Sequence, residues 1–440
     1  MDFNKVAEEL RNSGLDLGSE DHKELLSLLK TKFETDKAEY DKMYDYYKGK
    51  TDAMQNYKMV TARSDLKTSV NYIKKFIKEE AAYTVGNKIT YEAIEKDDKL
   101  VNNIEYYTAH FNEMHDSDLM KYMLIFSKVY EVYYVDSITV DFCTKIIKPN
   151  EGFAFTDVVT ERVLLFLHFY TNEFDDSLKY IDIYTKDGIL HCNEDFEEIA
   201  EAHSSIFEEV PVTIGSLSAE GYTDSLYKDL KGLQDALETN LSDAGNEISD
   251  FRNAYLVFKN CTIEEEDLTK MKERGALVIG DGEVQWLIKD FNGSFVQDIM
   301  NRYIDLIYQI SCHIDSNEKM VSNLSGVALR SRLIALENKC KLEEAAHKNM
   351  VKSRLRFLFK YLSIIIKTDH DYKNVKIIYT PLIPTDDLAT AQMLSQLPEG
   401  VVSKDTARKL LSYINNAERE QDKVEKELQD ELDRENPEGF

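Results

Sequence analysis

The chain has 440 residues, 43% of them hydrophobic and 11% aromatic, which supplies large cores and excludes a disordered chain. That length exceeds one simple core, so two or three sub-domains are expected. A formal net charge of −27 argues against tight, general binding of nucleic acid, because each neutralised phosphate needs Lys or Arg. Taken from the start, residues 20–48 carry helical spacing through Leu25, Leu28, Leu29, Phe33, Tyr40, Tyr44 and Tyr47, and stop at Gly49, a residue suited to ending a helix. The spacing predicts a second helix over 66–85, with Val70, Ile73, Ile77 and Ala81 on one face and Gly86 at its end. Between 129 and 192 the period changes: Val129–Val135, Val163–Phe169 and Tyr180–Tyr184 are β-branched and aromatic, and Lys186-Asp187-Gly188 reads as a turn. The first part is therefore mixed α+β.

The clearest periodic segment spans 223–251. Leu226, Leu230, Leu233, Leu237, Leu241, Ala244, Ile248 and Phe251 form one apolar stripe, and Thr223 or Asp224 suits the cap. Its other faces carry Asp224, Asp229, Asp235, Glu238, Asp243, Glu247 and Asp250 against Lys228 and Lys231. Tyr255–Phe258 then reads as a strand, and 276–279 and 284–288 flank the hairpin turn Gly280-Asp281-Gly282. A helix over 295–310 carries Phe295, Ile299, Tyr303, Leu306 and Ile310, and a polar loop covers 315–325. From Gly326 a helix of about 40 residues is expected, about 60 Å at 1.5 Å per residue. Between Gly326 and Lys367 it holds ten Lys or Arg against three Glu, making it the basic element of an acidic chain. A strand at 375–379 follows, Pro381 and Pro384 mark a boundary, and helical residues from Thr385 run into an acidic tail.

Signatures of chemistry are sparse. The five cysteines (Cys143, Cys192, Cys261, Cys312, Cys340) are scattered without a CxxC pair, the pattern of free thiols in a reducing compartment. Met1 to Leu29 has no apolar run of leader length and no stretch reaches a membrane span, so a soluble protein made in a cytoplasm is expected. Gly49-Lys50-Thr51 ends like a phosphate loop, but Tyr44 stands where that loop needs its first glycine, so a turn after a helix is the better reading. The histidines have no ligand spacing, Glu264-Glu265-Glu266-Asp267 reads as a solvated helix start, and Glu337-Asn338-Lys339 is a two-residue match to a nuclease motif inside a helical run. No catalytic, cofactor or metal residue is expected.

The order of weaker motifs is more informative. Tyr46-Tyr47-Lys48-Gly49, the Asn71–Ile77 stretch and Tyr83-Thr84-Val85-Gly86-Asn87-Lys88-Ile89-Thr90-Tyr91 come first. Val210-Pro211-Val212 then precedes a helix with Asp235-Ala236, Asn240, Ser242-Asp243 and Asn246, leading to Ala254-Tyr255-Leu256-Val257. Ser325-Gly326-Val327-Ala328-Leu329 with Leu336-Glu337, Tyr379-Thr380-Pro381 with Ile383–Asp386, and Val402-Ser403-Lys404-Asp405-Thr406 complete the series. In this order the chain resembles portal proteins of tailed double-stranded-DNA bacteriophages, in the lineage of siphophages infecting Gram-positive bacteria. Departures are Ser127-Lys128 where the family often has a glycine, Gly215-Ser216-Leu217 in place of asparagines, and Tyr413-Ile414-Asn415-Asn416 without the family's Pro-x-Val-x-Asp phrase.

The resemblance implies an α+β portal fold: an N-terminal region and wing at 1–223, a stem helix at 224–250, a clip at 251–294 and a second stem helix at 295–312. A tunnel loop at 313–325, a long kinked helix and wing return strand at 326–383, and a helical crown with acidic tail at 384–440 complete it. It further implies a homo-oligomeric ring, twelve subunits in assembled relatives, at one capsid vertex of the virion, made in the host bacterial cytoplasm. Implied partners are the terminase large subunit, major capsid and scaffold proteins, a head-completion adaptor, and duplex DNA that passes during packaging and ejection without tight binding. Asp235, Glu238, Asp243 and Glu247 are then expected on the channel wall, and Asn317, Glu318, Lys319, Met320, Val321, Ser322 and Asn323 at the tunnel constriction. Gly280, Asp281, Gly282 and Trp286 are expected to dock partners at the clip, and Arg330, Arg332 and Lys341 to meet the adjacent subunit or the wing. The rival classes are a nucleic-acid packaging enzyme subunit and an acidic capsid scaffold or interaction protein.

Overall fold

The computed structural model describes residues 3–58, 65–95, 97–251, 255–260, 283–287, 293–315, 326–381, 387–398, 400–411, 414 and 416–435. They fall into two units, one of Met1–Tyr47, Ile73–Asp229 and Ser311–Phe440, the other of Lys48–Tyr72 and Leu230–Ile310.

In the first unit, α1 (Phe3–Ser13) and α2 (Glu20–Tyr47) open the chain. The sequence reading passed over α1, although Val6, Ala7 and Leu10 have helical spacing and are buried. Helix α2 ends as expected, with Gly49 at a φ of 84° in the left-handed region that glycine adopts without a Cβ clash. Val6, Leu10, Leu25, Leu26 and Leu29 pack on Leu165, Leu167, Ile181 and Ile183, and the Phe33 and Phe169 rings stack at 3.9 Å. These last side chains belong to an antiparallel meander of β4 (Gly152–Thr156), β5 (Val163–Asn172), β6 (Asp175–Tyr184), β7 (Gly188–Asn193) and β8 (His203–Ser204).

Between α2 and that sheet lie α3 (Asp52–Asn56), which belongs to the second unit, and α4 (Tyr72–Val85), β1 (Thr90–Ala93), α5 (Asp98–Thr108) and α6 (His115–Phe126). Helix α4 starts six residues later than the helix expected from Leu66, for a reason given below. Ser127 ends α6 with a φ of 57°, a conformation that costs a side-chain-bearing residue and suits glycine. The three-stranded sheet β3-β2-β9 joins β2 (Lys128–Val135), β3 (Phe142–Ile147) and β9 (Val212–Ser216).

The second unit adds α7 (Leu226–Phe251), which begins in the first unit, the antiparallel pair β10 (Tyr255–Lys259) and β11 (Glu283–Leu287), and α8 (Gly293–Ser311). Back in the first unit, α9 (Gly326–Ile365) is an unbroken 40-residue helix. Strand β12 (Val375–Ile378) returns to pair antiparallel with β1, Thr90 opposite Ile378. Helices α10 (Asp387–Gln396), α11 (Lys404–Lys409) and α12 (Ala417–Glu435) close the chain. Among the described residues no helix is long and apolar enough to cross a membrane, and Cys143, Cys192, Cys312 and Cys340 are free thiols.

Over Arg354–Leu362, α9 is buried on almost every side, packing Leu355, Phe357, Leu358 and Tyr361 against Tyr133, Phe142, Phe207 and Val375. Within this apolar setting the Arg354 guanidinium is 3% exposed. Its Nε donates to Glu131 Oε1 at 2.8 Å, and an Nη donates to Asp116 Oδ1 at 2.8 Å. His115 Nε2 lies 2.8 Å from the same Glu131 oxygen, and the Tyr133 hydroxyl donates to Glu131 Oε2 at 3.0 Å. Burial alone would raise both carboxyls, yet the guanidinium outweighs it. It holds Asp116 down at about 2 and Glu131 below its ordinary value. Other charges on this basic helix also pair within their own unit: Arg356 meets Glu209 at 2.6 Å and Lys339 meets Glu80 at 2.6 Å.

Removing one member of this buried group leaves charges without a partner in a low dielectric. Arg354→Met is expected to cost about 3–5 kcal/mol in chemical denaturation. Because the folded pKa of Asp116 lies below the unfolded one, its stabilisation is present above about pH 4. It is lost as pH falls toward about 2. Acid unfolding in that window should therefore weaken in Arg354→Met, whereas an unchanged acid transition would contradict the pairing.

Candidate functional site

The candidate channel helix α7 carries two different rows. Leu226, Leu230 and Leu237 of the expected stripe are buried, but Leu233 and Leu241 are half-buried and Ile248 is 58% exposed. Its start is capped by Ser225, whose Oγ accepts from Lys228 N at 3.3 Å, and not by Thr223 or Asp224.

The buried polar row was not anticipated. Gln234, Glu238, Ser242 and Asn246 recur every four residues, so they lie one above another on the helix, about 6 Å apart along its axis. An extended chain advances roughly 6.7 Å in two residues. The two repeats are commensurate, and the segment 65–70 lies along α7 in antiparallel sense. Leu66 N donates to Asn246 Oδ1 at 2.8 Å, Thr68 N to Ser242 Oγ at 2.9 Å and Val70 N to Glu238 Oε1 at 3.0 Å. Asn246 Nδ2 returns a bond to Leu66 O at 3.1 Å, and Gln234 Nε2 donates to Val70 O. Glu238 further accepts from Ser69 Oγ at 2.9 Å and from Thr51 Oγ1. With its amides held by side chains, 65–70 is not helical, which is why α4 begins at Tyr72.

Glu238 is therefore a correction. Expected on the channel wall, it is 0% exposed and presents no charge outward. Burying an ionised carboxylate requires partners, and the 51–70 segment and Gln234 supply them. Asp235 is half-buried, accepting from Ala53 N at 3.2 Å and pairing with Lys231 at 3.0 Å, while Lys231 also reaches Asp52 at 2.7 Å. Asp243 is exposed and accepts from the Tyr57 hydroxyl at 2.7 Å, and Glu247 is half-buried. The signal for the buried row, a run of polar residues at strict four-residue spacing beside the stripe, stood in the sequence. Acidic residues were read there as solvated by default.

Asn317, Glu318, Lys319, Met320, Val321, Ser322 and Asn323 lie outside the described residues, as do Gly280, Asp281 and Gly282. Trp286 is opposite Leu256 in the β10–β11 pair, and backbone alone is described there and at Arg330 and Arg332 on α9. Lys341 is exposed. Among the described residues no three His, Cys, Asp or Glu converge closely enough to hold a metal ion.

The chain is thus mixed α+β with an amphipathic helix only partly covered by its own neighbours. A family profile described as "Phage portal protein, SPP1 Gp6-like" matches residues 26–434. The chain belongs to this phage portal family. Among solved structures it is similar to a chain in the virion of a native gene transfer agent particle, at 10% identity over 77% of this chain and 87% of that one, with a TM-score of 0.42. It is also similar to a chain in the neck of an empty gene transfer agent particle computed with C6 symmetry, at 9% identity over 77% and 88%, with a TM-score of 0.47. The search of curated proteins gave no match.

Glu238→Ala removes the acceptor of Val70 N, Ser69 Oγ and Thr51 Oγ1 together, and leaving such donors unmet costs about 1–3 kcal/mol. Amide exchange over 66–70 should accelerate by about tenfold or more, at 1.4 kcal/mol per factor of ten. Asp243→Ala, at an exposed position, should stay within about 0.5 kcal/mol. Equal effects of the two substitutions would contradict the buried row.

Proposed function

We propose that this chain forms the closed homo-oligomeric ring of a portal vertex, twelve subunits as in assembled relatives, through which duplex DNA enters the capsid and later leaves. The observation that carries the ring is the uneven burial of α7. Its polar row is consumed by its own chain, whereas Leu233, Leu241 and Ile248 keep apolar surface unburied. A helix on a rotationally closed ring meets a different face of the next copy, so a heterologous contact covers that surface. Covering the exposed part of Ile248 contributes on the order of 1 kcal/mol per subunit.

Within this reading, 1–223 and 326–383 are wing, 224–250 and 295–312 stem, 251–294 clip and 384–440 crown. Asp243 and Glu247, with Asp235 partly neutralised by Lys231, give the channel a weakly acidic wall. Such a wall repels DNA within about 8 Å at physiological salt and keeps it from adhering. The loop around Lys319 forms the constriction, and the tip at Gly280–Gly282 with Trp286 meets the terminase large subunit and then a head-completion adaptor. Arg330, Arg332 and Lys341 face the adjacent subunit. The assembled protein is a head–tail connector of the virion, seated among major capsid and scaffold proteins.

Native mass spectrometry of the full-length protein tests the ring. One closed high-order species is expected, and Ile248→Asp should raise the concentration needed for assembly by about tenfold, equivalent to 1.4 kcal/mol per contact. A monomer that persists at high concentration under all assembly conditions, or an assembly indifferent to Ile248→Asp, contradicts it.

A further inference from the structure

The first unit holds a second buried ionic group, separate from Arg354. Glu80 on α4 is 0% exposed and Glu343 on α9 is 4% exposed. Lys339, one turn before Glu343, donates to Glu80 Oε1 at 2.6 Å. Glu80 Oε2 and Glu343 Oε2 are buried and meet no N–H or hydroxyl donor, the two carboxyls lying within reach of each other and Glu343 within reach of the Cys340 thiol. Both residues line a cavity of about 300 Å³, together with Asp224 and Asp229.

The charges there do not balance. Two buried carboxylates, with the exposed Asp224 and Asp229 beside them, share one ammonium, because His313, whose Nε2 lies 3.6 Å from Glu80 Oε1, is kept neutral by burial with its pKa held near 3. Burial pushes Glu80, Glu343 and Asp229 above the ordinary carboxylate range, so the cluster retains protons in place of a missing positive charge. The remaining walls are Leu124, Leu217, Leu226 and Leu342. Such a chamber, lined by leucines and carboxylates together, matches a charged head on an aliphatic stem. The spacing of the acids is not that of a metal site.

We propose that this cavity binds an alkylguanidinium or alkylammonium group, its stem against the leucines and its N–H donors on Glu80 Oε2 and Glu343 Oε2. Two sources share that chemistry. One is an Arg or Lys side chain of a second copy of this chain, which rests on the ring reading. The other is a free polyamine, which does not.

Titration calorimetry with agmatine on the full-length protein tests the site, run in two buffers of different ionisation enthalpy. Binding should release about one proton, since a cation lowers the raised carboxyl values. Glu343→Gln, which keeps the shape, should weaken binding by about tenfold or more, at 1.4 kcal/mol per factor of ten. Glu344→Gln, outside the cavity lining, should leave it unchanged, and Asp229→Asn serves as the second variant if Glu343→Gln fails to fold. Agmatine that binds only the unassembled chain and opposes assembly identifies a neighbouring subunit as the source. Equal binding to both forms identifies a free cation. Heat no larger than that of sodium chloride at equal ionic strength, or binding unaffected by either cavity substitution, overturns the proposal whether or not a ring forms.

Discussion

A guanidinium enclosed by aromatic and aliphatic side chains dictates much of the first unit. Arg354 cannot be desolvated alone, because transferring an unpaired charge out of water costs several kcal/mol even after relaxation. Glu131 on β2 and Asp116 on α6 therefore have to sit where its donors point, at 2.8 Å each. That requirement fixes the register of α9 against β2 and α6, and the aromatic core around Tyr133, Phe142 and Phe357 fills in about it. Among the described residues, Lys339, Arg354, Arg356 and Lys360 of this basic helix find counter-charge inside their own unit. Arg356 with Glu209 and Lys339 with Glu80 repeat the pattern toward the two ends.

The second unit rests on a different constraint, the match between four residues of helix and two of extended chain. Gln234, Glu238, Ser242 and Asn246 exploit it to hold 65–70 by its backbone, which uses one face of α7 completely. Side chains in such a row cannot also face a channel. What α7 offers outward includes half-covered Leu233 and Leu241, exposed Ile248, and the carboxylates of Asp243 and Glu247. An acidic wall built from those residues is weaker than the formal charge of the helix suggests. Lys231, bridging Asp52 and Asp235, weakens it further.

The sequence was informative wherever burial follows a period. The helix of the α7 stripe, the β-branched and aromatic runs of β2, β5 and β6, the turn at Gly49 and the 40-residue span of α9 were all legible from residue type and spacing. Polar burial was not. Glu131 sits in a run of β-branched and aromatic residues and Glu238 among other acids, and neither spacing nor composition says which carboxylate will meet a buried donor. The start of α4 was misjudged for the same reason, since Val70 shares helical spacing with Ile73 while its amide is taken by Glu238. Helices α1, α5 and α6, of 11, 11 and 12 residues, are additional to the expected elements.

The central claim is that α7 turns its polar row inward and leaves an apolar edge and a few carboxylates for a ring. Electron cryomicroscopy of assembled full-length protein at side-chain detail tests it most directly. The account predicts a closed ring in which Ile248 is covered by the next subunit, Asp243 and Glu247 face the lumen, Glu238 does not, and the proposed tunnel loop 313–325 lies at the narrowest point. An open filament, or a ring with Ile248 in solvent and Asp243 on its outer surface, would contradict it.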